Sequence, residues 1–230
     1  MRATLSIAVV GGTGQEGSGL ALRLARAGHK VVIGSRDAGR AAARAAELRG
    51  RLEQGEISGA GNLEAASASE LVILTVPYSA QKPTVKEIEA ALQGKVLVDA
   101  TAPLVAPRVS QVQLPETGSA VAAVQRMLGE RVRVVSAFQN VSAHHLSDLS
   151  HEVECDVLVC GDDRAACEVV IALARDIGLR AFHAGPICNS AAAEALTSIL
   201  ISINRRYKAP GSGIRITGVA ADTAPAAARN

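Results

Sequence analysis

The chain has 230 residues, 48% hydrophobic and 20% charged, enough to bury the core of one α/β domain with a small appendage. Its 24 basic and 22 acidic residues are spread along the sequence and leave a net charge of +2, which argues against a nucleic-acid-binding face. No run approaches the roughly 18 continuous apolar residues of a membrane span and the N-terminal stretch lacks a cleavage signature, so a cytoplasmic protein without membrane partners is expected.

Short β-branched runs alternate with longer alanine- and leucine-rich stretches, the pattern of repeated βα units on a parallel sheet. In chain order the pattern predicts a strand over Leu5–Val10, a helix over Gln15–Ala27, a strand over Lys30–Gly34 and a helix over Ala38–Leu52. Strands at Ile57–Gly59 and Leu71–Val76 follow, then a helix over Ser79–Leu92 and a strand over Lys95–Asp99. A helix over Ser119–Leu128 and a strand over Arg133–Ala137 come next. The C-terminal part reads as a strand over Asp156–Cys160, a helix over Arg164–Ile177, a strand over Arg180–His183 and a helix over Ser190–Arg205. Near-continuous apolar strands such as Leu71-Val72-Ile73-Leu74 suit a sheet covered on both faces. In the first helix Leu20, Ala21, Leu24 and Ala25 share a face while Arg23 and Arg26 are expected to point away, and Gly28 is placed as the C-terminal cap. Residues 101–118 carry Pro103, Pro107 and Pro115 and read as a long surface connection.

The motif Gly12-x-Gly14-x-x-Gly17 follows the first strand and opens the first helix, the context in which such a turn binds a dinucleotide. Gly12 permits the reversal, Gly14 lets the backbone approach a pyrophosphate, and Gly17 allows the helix close to the sheet. NAD binders usually carry an acidic residue about 20 residues further on, at the end of the second strand. Here Gly34-Ser35-Arg36 stands there with Arg40 one turn later, a hydroxyl and two guanidinium groups suited to a 2′-phosphate. Asp37 is the nearby carboxylate and is not assigned to the ribose. The reading is an α/β, Rossmann-type doubly wound, mostly parallel sheet with a small C-terminal α/β extension, binding NADP(H). Its boundaries are an NADP-binding domain over 1–138, an extension over 139–219 that completes the second site, and a flexible tail over 220–230.

In such a sheet ligands lie outside the carboxyl ends of the strands, so Val76-Pro77-Tyr78 and Thr101-Ala102-Pro103 should border the nicotinamide. The run Phe138 to His145 at the same edge is the expected substrate floor. Adjacent His144 and His145 cannot both face one centre in regular structure, and no carboxylate spacing supports a metal site, so packing or solvation is the expected role. Cys155, Cys160, Cys167 and Cys188 match neither a CxxC pair nor zinc spacing and are read as buried small apolar residues. A dehydrogenase acting on a hydroxyl needs a positioned acid or base; neither one nor a lysine helper is identified, which favours hydride exchange between two cofactors.

Gly11-Gly12-Thr13-Gly14-Gln15-Glu16-Gly17 and Val32-Ile33-Gly34-Ser35-Arg36 together resemble the NADPH-dependent reductases of the deazaflavin coenzyme F420. Val135-Ser136-Ala137, Val159-Cys160-Gly161-Asp162-Asp163, Ala184-Gly185-Pro186, Asn189-Ser190 and Glu194-Ala195-Leu196-Thr197 resemble that family's later segments in the same order. The resemblance implies that Thr13, Gly14, Gln15 and Glu16 cradle the pyrophosphate and that Ser35, Arg36 and Arg40 hold the 2′-phosphate. Val76, Pro77, Ala80, Ala102 and Ala143 would surround the nicotinamide half, with Asn140, Ser190 and Thr197 closing the deazaflavin site. Hydride would pass directly between stacked rings. The resemblance implies a homodimer, with the apolar helix over Ser190–Ile203 as its surface or else packed inside the monomer, while Arg205, Arg206 and Lys208 either meet an acidic coenzyme tail or serve as C-terminal charges favoured by the helix dipole. Ala191-Ala192-Ala193 departs from archaeal members that carry a basic residue after the Asn-Ser pair. Two other readings are kept: reduction of an imine, ferric or flavin acceptor, and NADP sensing without turnover.

Overall fold

The computed structural model describes residues 4–219, so the tail expected over 220–230 lies outside the described residues. Eight strands form one sheet in the order β3-β2-β1-β4-β5-β6-β7-β8. They are β1 (Ser6–Val10), β2 (Lys30–Ser35), β3 (Glu56–Gly61), β4 (Leu71–Leu74), β5 (Val96–Asp99), β6 (Arg133–Ser136), β7 (Asp156–Gly161) and β8 (Arg180–His183). Every neighbouring pair is parallel except β6 with β7, where the chain turns back after the long connection through 139–155.

The order reverses between β1 and β4, which places the switch point of a doubly wound sheet at the end of β1, beside the glycine turn. One face is covered by α1 (Gln15–Arg26), α2 (Ala38–Arg49) and α7 (Arg164–Asp176), which bury Leu20, Leu24, Leu48 and Val170 against Ile7, Ile33 and Val157. The other is covered by α3 (Asn62–Ser67), α4 (Tyr78–Leu92) and α5 (Ala120–Leu128), with Val85, Ile88, Leu92 and Val124 on Ala8, Val72 and Leu97. Helices on both faces explain why the central strands are near-continuously apolar.

Two short helices, α3 and α6 (Ala143–Ser147), have no counterpart among the predicted elements, because five or six residues give too little periodicity to register. The last helix is α8 (Ser190–Tyr207), and the segment after it bonds back to β7 through Ile214 and Ile216. β4 stops at Leu74, two residues before its expected end, and Thr75 to Pro77 form the loop into α4.

Arg23 corrects the reading of α1. Rather than pointing to solvent it is 4% exposed. Its guanidinium donates to the carbonyls of Leu146 and His145 at 2.9 Å, Asp148 at 2.6 Å and His151 at 2.9 Å. The segment carrying α6 folds back over α1, and its buried carbonyls need donors that no strand supplies. One planar, multiply donating side chain meets that need. Arg26 adds a bond to Leu149 O at 2.9 Å. Gly28 has φ +95° and ends α1 as expected.

The cysteine reading holds for Cys155, Cys160 and Cys167, which are buried, and is corrected at Cys188, which is exposed.

Candidate active site

The strand ends around the switch point open on one cleft of about 910 Å³, near the top of the roughly 300–1,000 Å³ common for ligand sites. Its first wall is the turn between β1 and α1. Gly11 has φ +79°, a conformation that costs glycine nothing. A Cβ on Gly12 would lie 2.6 Å from Val9 O, and one on Gly17 would lie 2.4 Å from Thr75 Oγ1 and 2.7 Å from Gly12 Cα. Gly14 faces open space, with only Gly11 O at 3.5 Å. No side chain caps α1 at Gly14, so the first-turn N–H groups are left for an anion in the cleft. A diphosphate fits this cradle.

Past the turn the cleft runs along the end of β2. Asp37 accepts from Arg40 N at 3.0 Å as the cap of α2, and Ser35 Oγ accepts from Asp37 N at 3.2 Å. The carboxylate that would bind a ribose diol is thus occupied by a helix terminus. Arg36 and Arg40 line the cleft and make no ion pair among the described residues. A guanidinium on α2 also reaches the phosphate turn: Arg44 Nε donates to Ser18 Oγ at 2.9 Å, and Ser18 Oγ donates to Gly12 O at 2.8 Å. Sequence reading missed that tie, because Arg44 lies 26 residues from Ser18.

The opposite end is floored by buried polar groups. Asp99, wholly buried at the tip of β5, accepts from Gln81 Nε2 at 2.6 Å and Thr101 N at 2.9 Å. Gln139 donates to Asp99 O at 2.7 Å and Ser136 Oγ at 2.8 Å, which leaves its Oε1 buried and unpartnered at the cleft. Thr197 lines the cleft and donates to Gln139 O at 2.8 Å. Burial pushes the Asp99 carboxyl up to about 6, against the hydrogen bonds from Thr101 and Gln81. Glu16 faces this floor from α1. Burial first, and the Asp99 charge second, push its carboxyl up to about 8. Gln139 falls in the run Phe138 to His145 expected at the floor; Asp99 was not singled out, although an aspartate closing Val96-Leu97-Val98 is a detectable anomaly.

Thr13, Gly14, Gln15, Glu16, Ser35, Arg36, Arg40, Val76, Pro77, Ala80, Ala102 and Thr197 all line the cleft. Gly12 sits beneath it, and Ala143 is half-buried at the start of α6, off its wall.

Asn140 and Ser190, expected to close the site, are instead interior. Asn140 is 2% exposed and donates to Asp156 O at 2.8 Å. Ser190 is fully buried, donates to Ile187 O at 2.6 Å and stands 2.6 Å from Ser119 Oγ. Buried polar groups must be paired, and these two are used to fasten the C-terminal segment. Glu194 does the same, accepting from Ser119 Oγ and from Ala120 N and Val121 N at the start of α5. Tyr78 and Lys82 form a Tyr-x-x-x-Lys spacing, which corrects the expectation that no lysine stands in such a pair. Tyr78 lines the cleft, but Lys82 is exposed and off its wall.

Sheet order, glycine turn and cleft define a Rossmann-type dinucleotide-binding protein. A family model described as NADP oxidoreductase coenzyme F420-dependent matches residues 6–103. The chain is 43% identical to an F420-dependent NADP reductase of Methanocaldococcus jannaschii, over 94% of this chain and 99% of that one. It is also 43% identical to the F420-dependent NADP reductase of Methanothermobacter thermautotrophicus, over 94% and 96%. A crystal structure from Arthrobacter sp. FB24, described as a candidate F420-dependent NADP reductase, superposes with TM-score 0.77 at 26% identity, covering 93% and 99%. The chain belongs to the F420-dependent NADP reductase family.

Proposed function

We propose that the protein is an oxidoreductase that transfers a hydride between NADP(H) and coenzyme F420. When both are bound, the cofactors supply the redox chemistry, a hydride passing from one ring carbon to the other. The chain's own work is to hold them. The uncapped first turn of α1 takes the diphosphate, and Arg36 and Arg40 neutralise the 2′-phosphate. Val76, Pro77, Ala80 and Ala102 shape a wall of small side chains beside the nicotinamide. No catalytic side chain and no metal ligand is assigned; proximity is the main contribution. The observation that carries the reading is one cleft with two guanidinium groups, unpaired among the described residues, at one end and a buried polar floor at the other, on a chain of this family.

In this reading residues 1–138 bind the nucleotide and 139–219 complete the deazaflavin side. Thr197 is its contact on α8, while Asn140 and Ser190 act through the backbone they hold. By length and composition alone the helix Ile187–Tyr207 could cross a membrane. Glu194 and Ser190 are nevertheless hydrogen-bonded inside the fold, which argues for a packed helix. Ile199, Ile203 and Tyr207 recur every four residues on its exposed face, and a second copy of the chain is their proposed cover. Three buried free thiols suit a reducing cytoplasm.

The reading is tested by mixing the protein with NADPH and oxidised F420 and following loss of the deazaflavin's visible absorbance. Turnover with NADPH, little with NADH and none with flavin is expected; equal rates with either nucleotide would reject the NADP assignment, and no bleaching would reject F420.

A further inference from the structure

Glu16 poses a problem for the nucleotide site that contains it. It stands in the first turn of α1, on the cleft wall, where a diphosphate is to bind. Its Oε1 is buried and has no hydrogen-bond partner among the described residues. An ionised carboxylate so placed would face Asp99, held in the same interior by Gln81 and Thr101, and would also repel a polyanionic nucleotide. Both conflicts vanish if Glu16 keeps its proton.

We propose that Glu16 is a neutral carboxylic acid, kept so by its burial and by Asp99, and that it donates a hydrogen bond to an acceptor oxygen of the bound dinucleotide. The inference rests on the NADP(H) reading and adds a protonation requirement to it. Asp99 is a positioning residue here. Gln81 and Thr101 hydrogen-bond its two oxygens, which favours its ionised form, and that buried charge acts on Glu16. The elevated ionisation range of Glu16, about 8, means that the proton is present at neutral pH and lost in mild alkali. The other charged or titratable side chains on the cleft are Arg36, Asp37 and Arg40 at the adenosine end and Tyr78 on α4, while Glu194 acts on Asp99 from α8. None of these changes when Glu16 alone is replaced.

The acceptor oxygen is on either the diphosphate or the nicotinamide carboxamide, and ligand choice separates them. The experiment measures Kd from pH 7 to 9.5, by calorimetry, for NADPH and for 2′-phospho-ADP-ribose, which keeps the diphosphate and lacks the nicotinamide. For the wild type, NADPH Kd should rise above about pH 8, by up to about tenfold per pH unit. In Glu16→Gln, whose amide still donates, the profile should be flat. In Asp99→Asn, checked for folding by circular dichroism, the rise should begin at lower pH, because the like charge holding the proton is gone. A rise for both ligands assigns the bond to the diphosphate, and a rise for NADPH alone assigns it to the carboxamide; both support the proposal. A flat wild-type profile, or an alkaline rise that persists in Glu16→Gln, would overturn it. An NADPH Kd no tighter than that of NADH at pH 7 would instead overturn the nucleotide reading on which it rests.

Discussion

The two ends of the cleft are built on different principles. At the end by the glycine turn the cleft offers uncapped backbone N–H groups and exposed guanidinium side chains within about 30 residues of one another, laid out by β1, α1, β2 and the start of α2. At the floor the groups come from β5, α4, the loop after β6 and α8, and most of their polar atoms are already bonded to each other. The first end is ready to meet charge from outside; the second holds its shape from within. Substitutions should therefore act on ligand affinity at the first and on stability at the second.

The largest effect expected is structural. Arg23→Met removes the donor shared by four carbonyls of the segment over α1. Unpaired buried acceptors cost about 1–3 kcal/mol each when water cannot reach them. Partial hydration limits the total to about 3–4 kcal/mol, read from denaturant unfolding. Next is Arg36→Glu, which replaces an attraction by a repulsion at the 2′-phosphate. NADPH Kd should rise about 100-fold, the equivalent of about 2.7 kcal/mol, while NADH changes by less than about threefold. Equal losses for both nucleotides would break the comparison, because Arg36 would then serve the common part of the molecule.

Asn140→Ala sharpens it from the other side. The variant leaves Asp156 O without its donor and should cost about 1–2 kcal/mol of stability. Its KM for F420 should move little; a KM raised tenfold with unchanged stability would return Asn140 to the ligand surface. A further test of the floor concerns Glu16→Gln and heat. A carboxyl raised from 4.5 in the unfolded chain to about 8 in the fold stabilises less as pH climbs through that window. The variant should match the wild-type Tm near pH 4.5 and exceed it by a growing margin as the pH rises toward 8.

How much of this could be read from the sequence follows the same division. The phosphate turn is contiguous, and each glycine answers to a local requirement, so Gly12, Gly14 and Gly17 were identifiable from spacing alone. The place of Arg36 and Arg40 on the cleft was legible for the same reason, and that of Asp37 only in part, since its capping of α2 needed the backbone of Arg40. All eight strands were found because apolar runs mark buried parallel sheet. The short α3 and α6 were not, and the length of β4 was overestimated. Arg23 was misplaced because amphipathic patterning assumes one buried face, whereas α1 is covered on a second by a segment more than 120 residues away. Asn140 and Ser190 carry polar atoms that suit a ligand or an interior partner equally well, and only the fold decides between them. The Glu16–Asp99 floor joins residues from two elements with no sequence relation, which spacing cannot reveal.

The central claim, direct transfer between two rings held in one cleft, is tested most directly with NADPH carrying deuterium at nicotinamide C4 on the transferred face. In a single turnover with oxidised F420 in ordinary water, the account predicts the label on the acceptor ring carbon of the reduced deazaflavin. Label appearing in solvent, with none on that carbon, would contradict it.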